Sequence, residues 1–132
     1  MEENDVTLRE AVREMEFWKK QLVLLEQENS SQKNKLVMVL RNNDGDGSDL
    51  LDIAENFQNQ FLQQDETFRL MRNDLTKLAN SVAGQTIGND HQQKEIKHWQ
   101  KKLRREMKLL DVNFDDLRKG FARFLGVYFP ED

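Results

Sequence analysis

His91, Glu95 and His98 are the first residues in this chain whose types and spacing could do chemistry. They fall at i, i+4 and i+7, which is one face of a helix. Glu95-Ile96-Lys97-His98 also has the Glu-x-x-His spacing used in di-iron bundles. Such a centre needs two of these pairs and two further inward carboxylates. The chain has only one such pair, and His98 lies off the apolar line that Ile96 and Trp99 begin. The plainer reading is a solvated face with no metal.

Asn42, Asp44, Asp46 and Gly47 imitate the start of a calcium loop, with oxygens at alternate positions and glycine at the sixth. The twelfth position, where a bidentate Glu belongs, is Ile53. Asp49 and Asp52 do not replace it in the usual geometry. An acidic turn between helices is the simpler account.

Lys94, Lys97, Lys101, Lys102, Arg104, Arg105 and Lys108 form a basic run that could grip phosphates, with Lys101, Lys102, Arg104 and Arg105 at its centre. No exposed aromatic series interleaves with it, because Trp99 belongs to the apolar seam. Ion pairing with an acidic first helix, plus solvation, is the competing expectation. Elsewhere the inventory is bare. There is no Cys, so no disulfide, thiolate nucleophile or Cys-based zinc site. Ser30, Ser31, Ser48 and Ser81 sit beside no evident base. No catalytic set is assembled, and the expectation is a chain that is not an enzyme and uses no cofactor.

The elements that carry these residues are read from apolar spacing. In the middle of the chain Leu50, Ala54, Phe57, Phe61, Phe68, Met71, Leu75, Leu78 and Val82 recur in alternating steps of four and three, broken only at Gln64. That seam predicts a long helix packed lengthwise on another. The first segment has its own seam: Leu8, Ala11, Met15, Trp18, Leu22, Leu25, Asn29, Gln32, Leu36, Val39. The last reads Ile96, Trp99, Leu103, Met107, Leu110, Phe114, Leu117, Phe121, Phe124, Tyr128. Thr7 with Glu10 has capping-box spacing, Ser48 or Asp49 can cap the second helix, Gly84 can end it, and Asn89 with Gln92 can cap the third. Helices are expected over about 6–42, 49–82 and 89–127. Short connections make neighbours antiparallel. The predicted fold is one all-α domain over 1–132, an antiparallel three-helix bundle of long, coiled-coil-like helices.

Composition agrees. Apolar residues are 37% of the 132 and charged residues 33%, fewer apolar residues than a compact globule carries. An elongated bundle buries only a stripe of each helix and manages with less. The only proline, Pro130, comes too late to break a helix. The net charge of −4 with interspersed signs argues against a wholesale polyanion binder. The acidic start lacks a signal-like apolar stretch, and the longest apolar run, Leu36 to Leu40, is far short of the roughly 18 residues of a membrane span. A bacterial-type cytoplasmic setting is expected, with no membrane contact.

Counting from the two turns puts Asn29, Gln32, Gln64 and Glu106 at similar heights. They are expected to form a polar layer that specifies register between two apolar ends. Phe17, Leu24 and Met38 make a second stripe on the first helix, with steps of seven and fourteen. Leu36 to Leu40, including Val37, is apolar all round. Three helices cannot bury every side of such a segment. A homodimer through Phe17, Leu24, Val37 and Met38 is expected, with Phe129 of the tail joining.

Glu16-Phe17-Trp18-Lys19-Lys20-Gln21-Leu22, Ala54-Glu55-Asn56-Phe57-Gln58-Asn59-Gln60-Phe61 and Leu117-Arg118-Lys119-Gly120-Phe121-Ala122-Arg123-Phe124-Leu125 resemble stretches of small helical proteins of Bacteroidetes bacteria. The resemblance implies cytosolic helices and brings no activity, cofactor or catalytic residue. The functional expectation is therefore a self-associating scaffold or protein–protein interaction module. The alternative is a nucleic-acid or polyanion binder through Lys94–Lys108.

Overall fold

The computed structural model describes residues 2–42, 48–84 and 90–130. They form three helices, α1 (Glu2–Asn42), α2 (Ser48–Ala83) and α3 (Asp90–Tyr128), packed on one another as a three-helix bundle. There is no strand among the described residues. The expected helices are all present. α1 starts earlier than the Thr7 cap predicts, so Thr7 lies within the helix. α2 stops at the expected glycine: the Gly84 N–H still donates to the Asn80 carbonyl at 3.0 Å, and a Cβ on Gly84 would come within 2.8 Å of the Gln92 amide. The calcium-like loop at 43–47 and the cap at Asn89 lie outside the described residues.

Side-chain pairs set the directions. Asn29 reaches Asp65 and Glu26 meets Arg72, so α1 and α2 are antiparallel. Phe57 meets Phe124, Phe68 meets Phe114 and Asp74 meets Lys102, so α2 and α3 are antiparallel too. Glu14 with Arg104 and Glu28 with Arg118 make α1 and α3 parallel. α2 lies along both neighbours, while α1 and α3 meet over less of their length.

The core divides in two. One cluster gathers Ala11, Met15, Trp18, Leu22, Phe68, Met71, Leu75, Leu78, Ile96, Leu103, Met107, Leu110 and Phe114. The other gathers Leu36, Leu50, Ala54, Phe61, Leu117, Phe121 and Phe124. In the second, Phe61 and Phe121 meet edge-on with centroids 5.1 Å apart, and Phe57 packs on Phe124 at 5.2 Å. Burying such a ring contributes about 1.5–3 kcal/mol, and each well-placed ring pair about 0.5–1.5 more. This interlock fixes how α3 slides along α2. It pairs Phe61 with Phe121, which puts Glu106 level with Asp74 and not with Gln64. Counting symmetrically from the turn misplaces α3 by roughly ten residues, or about 15 Å at 1.5 Å each.

Candidate functional site

The histidine cluster comes together only in part. His91 Nε2 lies 3.5 Å from Glu95 Oε1, and the Ser81 hydroxyl donates to Glu95 Oε2 at 3.4 Å. His98 points elsewhere, edge-on to the Trp99 ring at 5.0 Å. The carboxylate sits between the hydroxyl and the imidazole, so His91 cannot take a proton from Ser81 as a triad base does. Among the described residues no group of three His, Cys, Asp or Glu side chains is placed to hold a metal ion. Asp49 and Asp52 are exposed on α2.

The polar layer resolves into two separate sites. At the waist, Asn29 is 0% exposed and its Nδ2 donates to the Phe61 carbonyl at 3.1 Å and to Asp65 Oδ1 at 2.8 Å. Lys33 completes the site, 2.5 Å from Asp65 Oδ2. The buried Oδ1 of Asn29 and Oε1 of Gln64 accept from no described protein group. Gln32 is half-buried. Asp65 escaped the sequence reading because it stands one residue past Gln64, off the seam. Its signal was its place four residues after Phe61, on the flank facing α1.

Glu106 belongs to the second site, a groove of about 490 Å³ between α2 and α3 with Leu70, Met71, Leu109 and Leu110 along it. Lys102 Nζ lies 3.2 Å from Asp74 Oδ2 and 3.5 Å from Glu106 Oε1. Asp74 is only 8% exposed. Burial pushes the Glu106 carboxyl up from its usual range, and hydrogen bonding to the Asp74 carboxylate pushes it further, against the pull of Lys102. The hydrogen bond to Asp74 holds the Lys102 ammonium above its ordinary value. Lys77 and Lys102 also approach the Trp99 ring at 5.0 and 5.1 Å, a cation–π pairing that covers the indole.

Between α1 and α3 the Arg104 guanidinium forks onto Glu14 at 2.5 and 2.6 Å, and Gln100 Nε2 donates to the same carboxylate at 2.8 Å. Burial alone would raise Glu14, but these bonds outweigh it and hold the carboxyl below its usual value. Of the basic run, Lys102 and Arg104 are therefore engaged within the fold. Lys101 and Arg105 are exposed.

The outer face of α1 carries large apolar side chains facing water. Phe17 is 64% exposed, Leu24 66% and Met38 60%. Spaced by multiples of seven, they lie nearly in line. Val37 is exposed as well, but as Met38's neighbour it is turned about 100° away and leaves the stripe. Ser31 fills the missing heptad position between Leu24 and Met38. There Ser30, Ser31 and Met38 border an open groove of about 900 Å³. Phe129 departs from the expectation. It is half-buried against the second cluster, its ring 5.8 Å from Phe124. Val127 faces water instead, while Tyr128 is partly exposed and sets its ring 5.3 Å from Phe124. The helix ends at Tyr128, and the chain folds Phe129 back onto its own core.

No family model, curated protein or solved structure matches this chain.

Proposed function

We propose that this chain is a non-enzymatic helical scaffold that self-associates through the outer face of α1. It works without a cofactor, in the cytoplasm, a setting that suits a chain with no cysteine. No helix among the described residues is long and apolar enough to cross a membrane.

The carrying observation is the line Phe17, Leu24, Ser31, Met38. A two-fold axis placed midway between Gln27 and Glu28 makes this line self-complementary in an antiparallel pair. Phe17 then meets Met38 of the second copy, and Leu24 meets Ser31. A large side chain opposes a small one, as packing across an isologous interface requires. The groove beside Ser31 receives the leucine. Lys20 and Lys35 flank the line, with stems long enough to cover its edges.

Sedimentation tests the association, and the absence of native cysteine makes cross-linking clean. A dimer is expected at micromolar concentration, with Leu24→Glu monomeric. A Leu24→Cys/Ser31→Cys double variant should cross-link between chains efficiently, and Leu24→Cys alone poorly. A wild type that stays monomeric at tens of micromolar refutes the proposal. Efficient cross-linking of the single variant would replace the antiparallel arrangement with a parallel one.

A further inference from the structure

Charge is distributed unevenly once internal pairs are removed. On α1, Glu16 pairs with Lys19, Glu26 with Arg72, Glu28 with Arg118 and Glu14 with Arg104. Among the described residues, Arg104 is the one residue of the basic run of α3 that pairs with the first helix. Lys102 is spent on Asp74 and Glu106. What remains is Lys94, Lys97, Lys101, Arg105 and Lys108. All five are exposed, and no described carboxylate pairs with them. Their steps of three, four, four and three put them on one face. It is the face opposite the buried line of Ile96, Leu103, Met107 and Leu110. No other described stretch aligns five unpaired bases.

The stripe runs about 21 Å, at 1.5 Å per residue. Over that length one strand of a duplex offers about six phosphates, at 3.4 Å each. Five regularly stepped cations over the length of about six phosphates suit a polyanion with a regular backbone. Single-stranded nucleic acid is bound with aromatic platforms for its bases. This face has none, since Trp99 is covered by Lys77 and Lys102. An anionic membrane surface holds a helix that sinks bulky apolar side chains beside its cations. Between Lys94 and Lys108 this face carries no such residue, and Val112 is the first.

We infer that the outer face of α3 from Lys94 to Lys108 binds the phosphate backbone of a nucleic-acid duplex without reading its sequence. The contact is a row of five charge-assisted grips on phosphate oxygens, with Lys102 and Arg104 supporting the helix from either side.

The test is fluorescence anisotropy with a labelled 20-base-pair DNA of arbitrary sequence. Five neutralised phosphates give a slope of log affinity against log salt of about −4.5, or roughly a 500-fold loss between 50 and 200 mM salt. Lys101→Glu/Arg105→Glu should flatten the slope to about −2.7 or less. Both positions are exposed, so helix content by circular dichroism should be unchanged. Arg123→Glu, on the same helix beyond the stripe, should leave the slope intact. Three results overturn the inference: no binding at 50 mM salt, a slope that the double reversal does not alter, or equal binding to poly-glutamate or to phosphatidylserine vesicles.

Discussion

Replacing Asn29 tests whether the waist is there for stability or for register. Asn29 is fully buried and gives two hydrogen bonds, one to a backbone carbonyl and one to the charged Asp65. Losing them costs about 0.5–1.5 and 1.5–3 kcal/mol. Against that, Leu at the same position buries more apolar surface, contributing about 1.5–3 kcal/mol. It also removes a buried carbonyl oxygen that no described protein group satisfies, a relief of about 1–3 kcal/mol. Little is stranded on the other side. The Phe61 carbonyl lies in the middle of α2, where the helix supplies a donor of its own, and Asp65 keeps Lys33.

Asn29→Leu is therefore expected to be close to neutral. Asn29→Ala loses the same bonds and adds a cavity, and should cost about 2–4 kcal/mol. With an unfolding entropy of about 0.28 kcal/mol/K for 132 residues, those figures separate in a thermal melt. The leucine variant should stay within about 4 °C of wild type, and the alanine variant should fall by roughly 7–14 °C. The leucine variant should betray itself otherwise, by broadened amide resonances at Phe61 to Phe68, because a seam without the Asn29–Asp65 pair lets α1 slip against α2. Equal and large losses of Tm in both variants would refute this account and make Asn29 a net stabiliser.

Other consequences are quicker to state. Glu106 has a folded-state pKa above its unfolded value. Its contribution is full below the ordinary glutamate range and is lost as pH rises through the raised value. Glu106→Gln keeps a donor for Asp74, so it should be more stable than wild type at neutral pH, with the gap closing in acid by chemical denaturation. Glu14 is depressed and runs the other way, its contribution present above the ordinary range and lost as pH falls. Glu14→Gln should flatten the acid limb of the same curve. Gly120 sits mid-helix, and a Cβ there would meet the Phe57 ring at an ordinary 3.8 Å. Gly120→Ala should stabilise by about 1 kcal/mol, raising Tm by roughly 3–4 °C; a drop in Tm would mean the Phe57 ring cannot yield.

How much of this was legible follows from which interactions are local. Seams are periodic along one helix, so Ala11, Leu22, Phe61, Leu78, Leu103 and Phe121 could be named as core from spacing, and all are buried. Asn29 was legible as a polar break in a seam. Its partner was not, because Asp65 becomes opposite only when α1 and α2 are slid into register. Register between long helices depends on which rings interlock, and apolar periodicity is nearly blind to it. A shift of one heptad leaves every seam intact. Glu106 was lost that way. Of the basic run, Arg104 is the residue that reaches an α1 carboxylate among the described residues, a pairing that spacing alone could not single out. Phe129 failed for another reason. It was assigned to the dimer face as part of an exposed tail, although the helix ends just before it and the ring turns back onto the core.

The two surfaces proposed for this chain also constrain each other. α1 would present its apolar line to a second copy, while the free bases of α3 lie on a different helix and approach that line only at Lys108, which shares a groove with Phe17. Dimerisation should therefore leave Lys94, Lys97, Lys101 and Arg105 of each stripe open and place the stripes symmetrically about the two-fold axis. Each chain then keeps its own contacts, and the dimer gains by avidity when both stripes reach one duplex. The monomeric Leu24→Glu variant should bind the 20-base-pair DNA more weakly, yet retain a salt slope of about −4.5. Affinity would fall while the count of displaced counterions stayed put. A slope collapsing toward zero in Leu24→Glu would mean that the phosphate contacts are assembled across the two chains, and the stripe on a single α3 would lose its claim to be the binding surface.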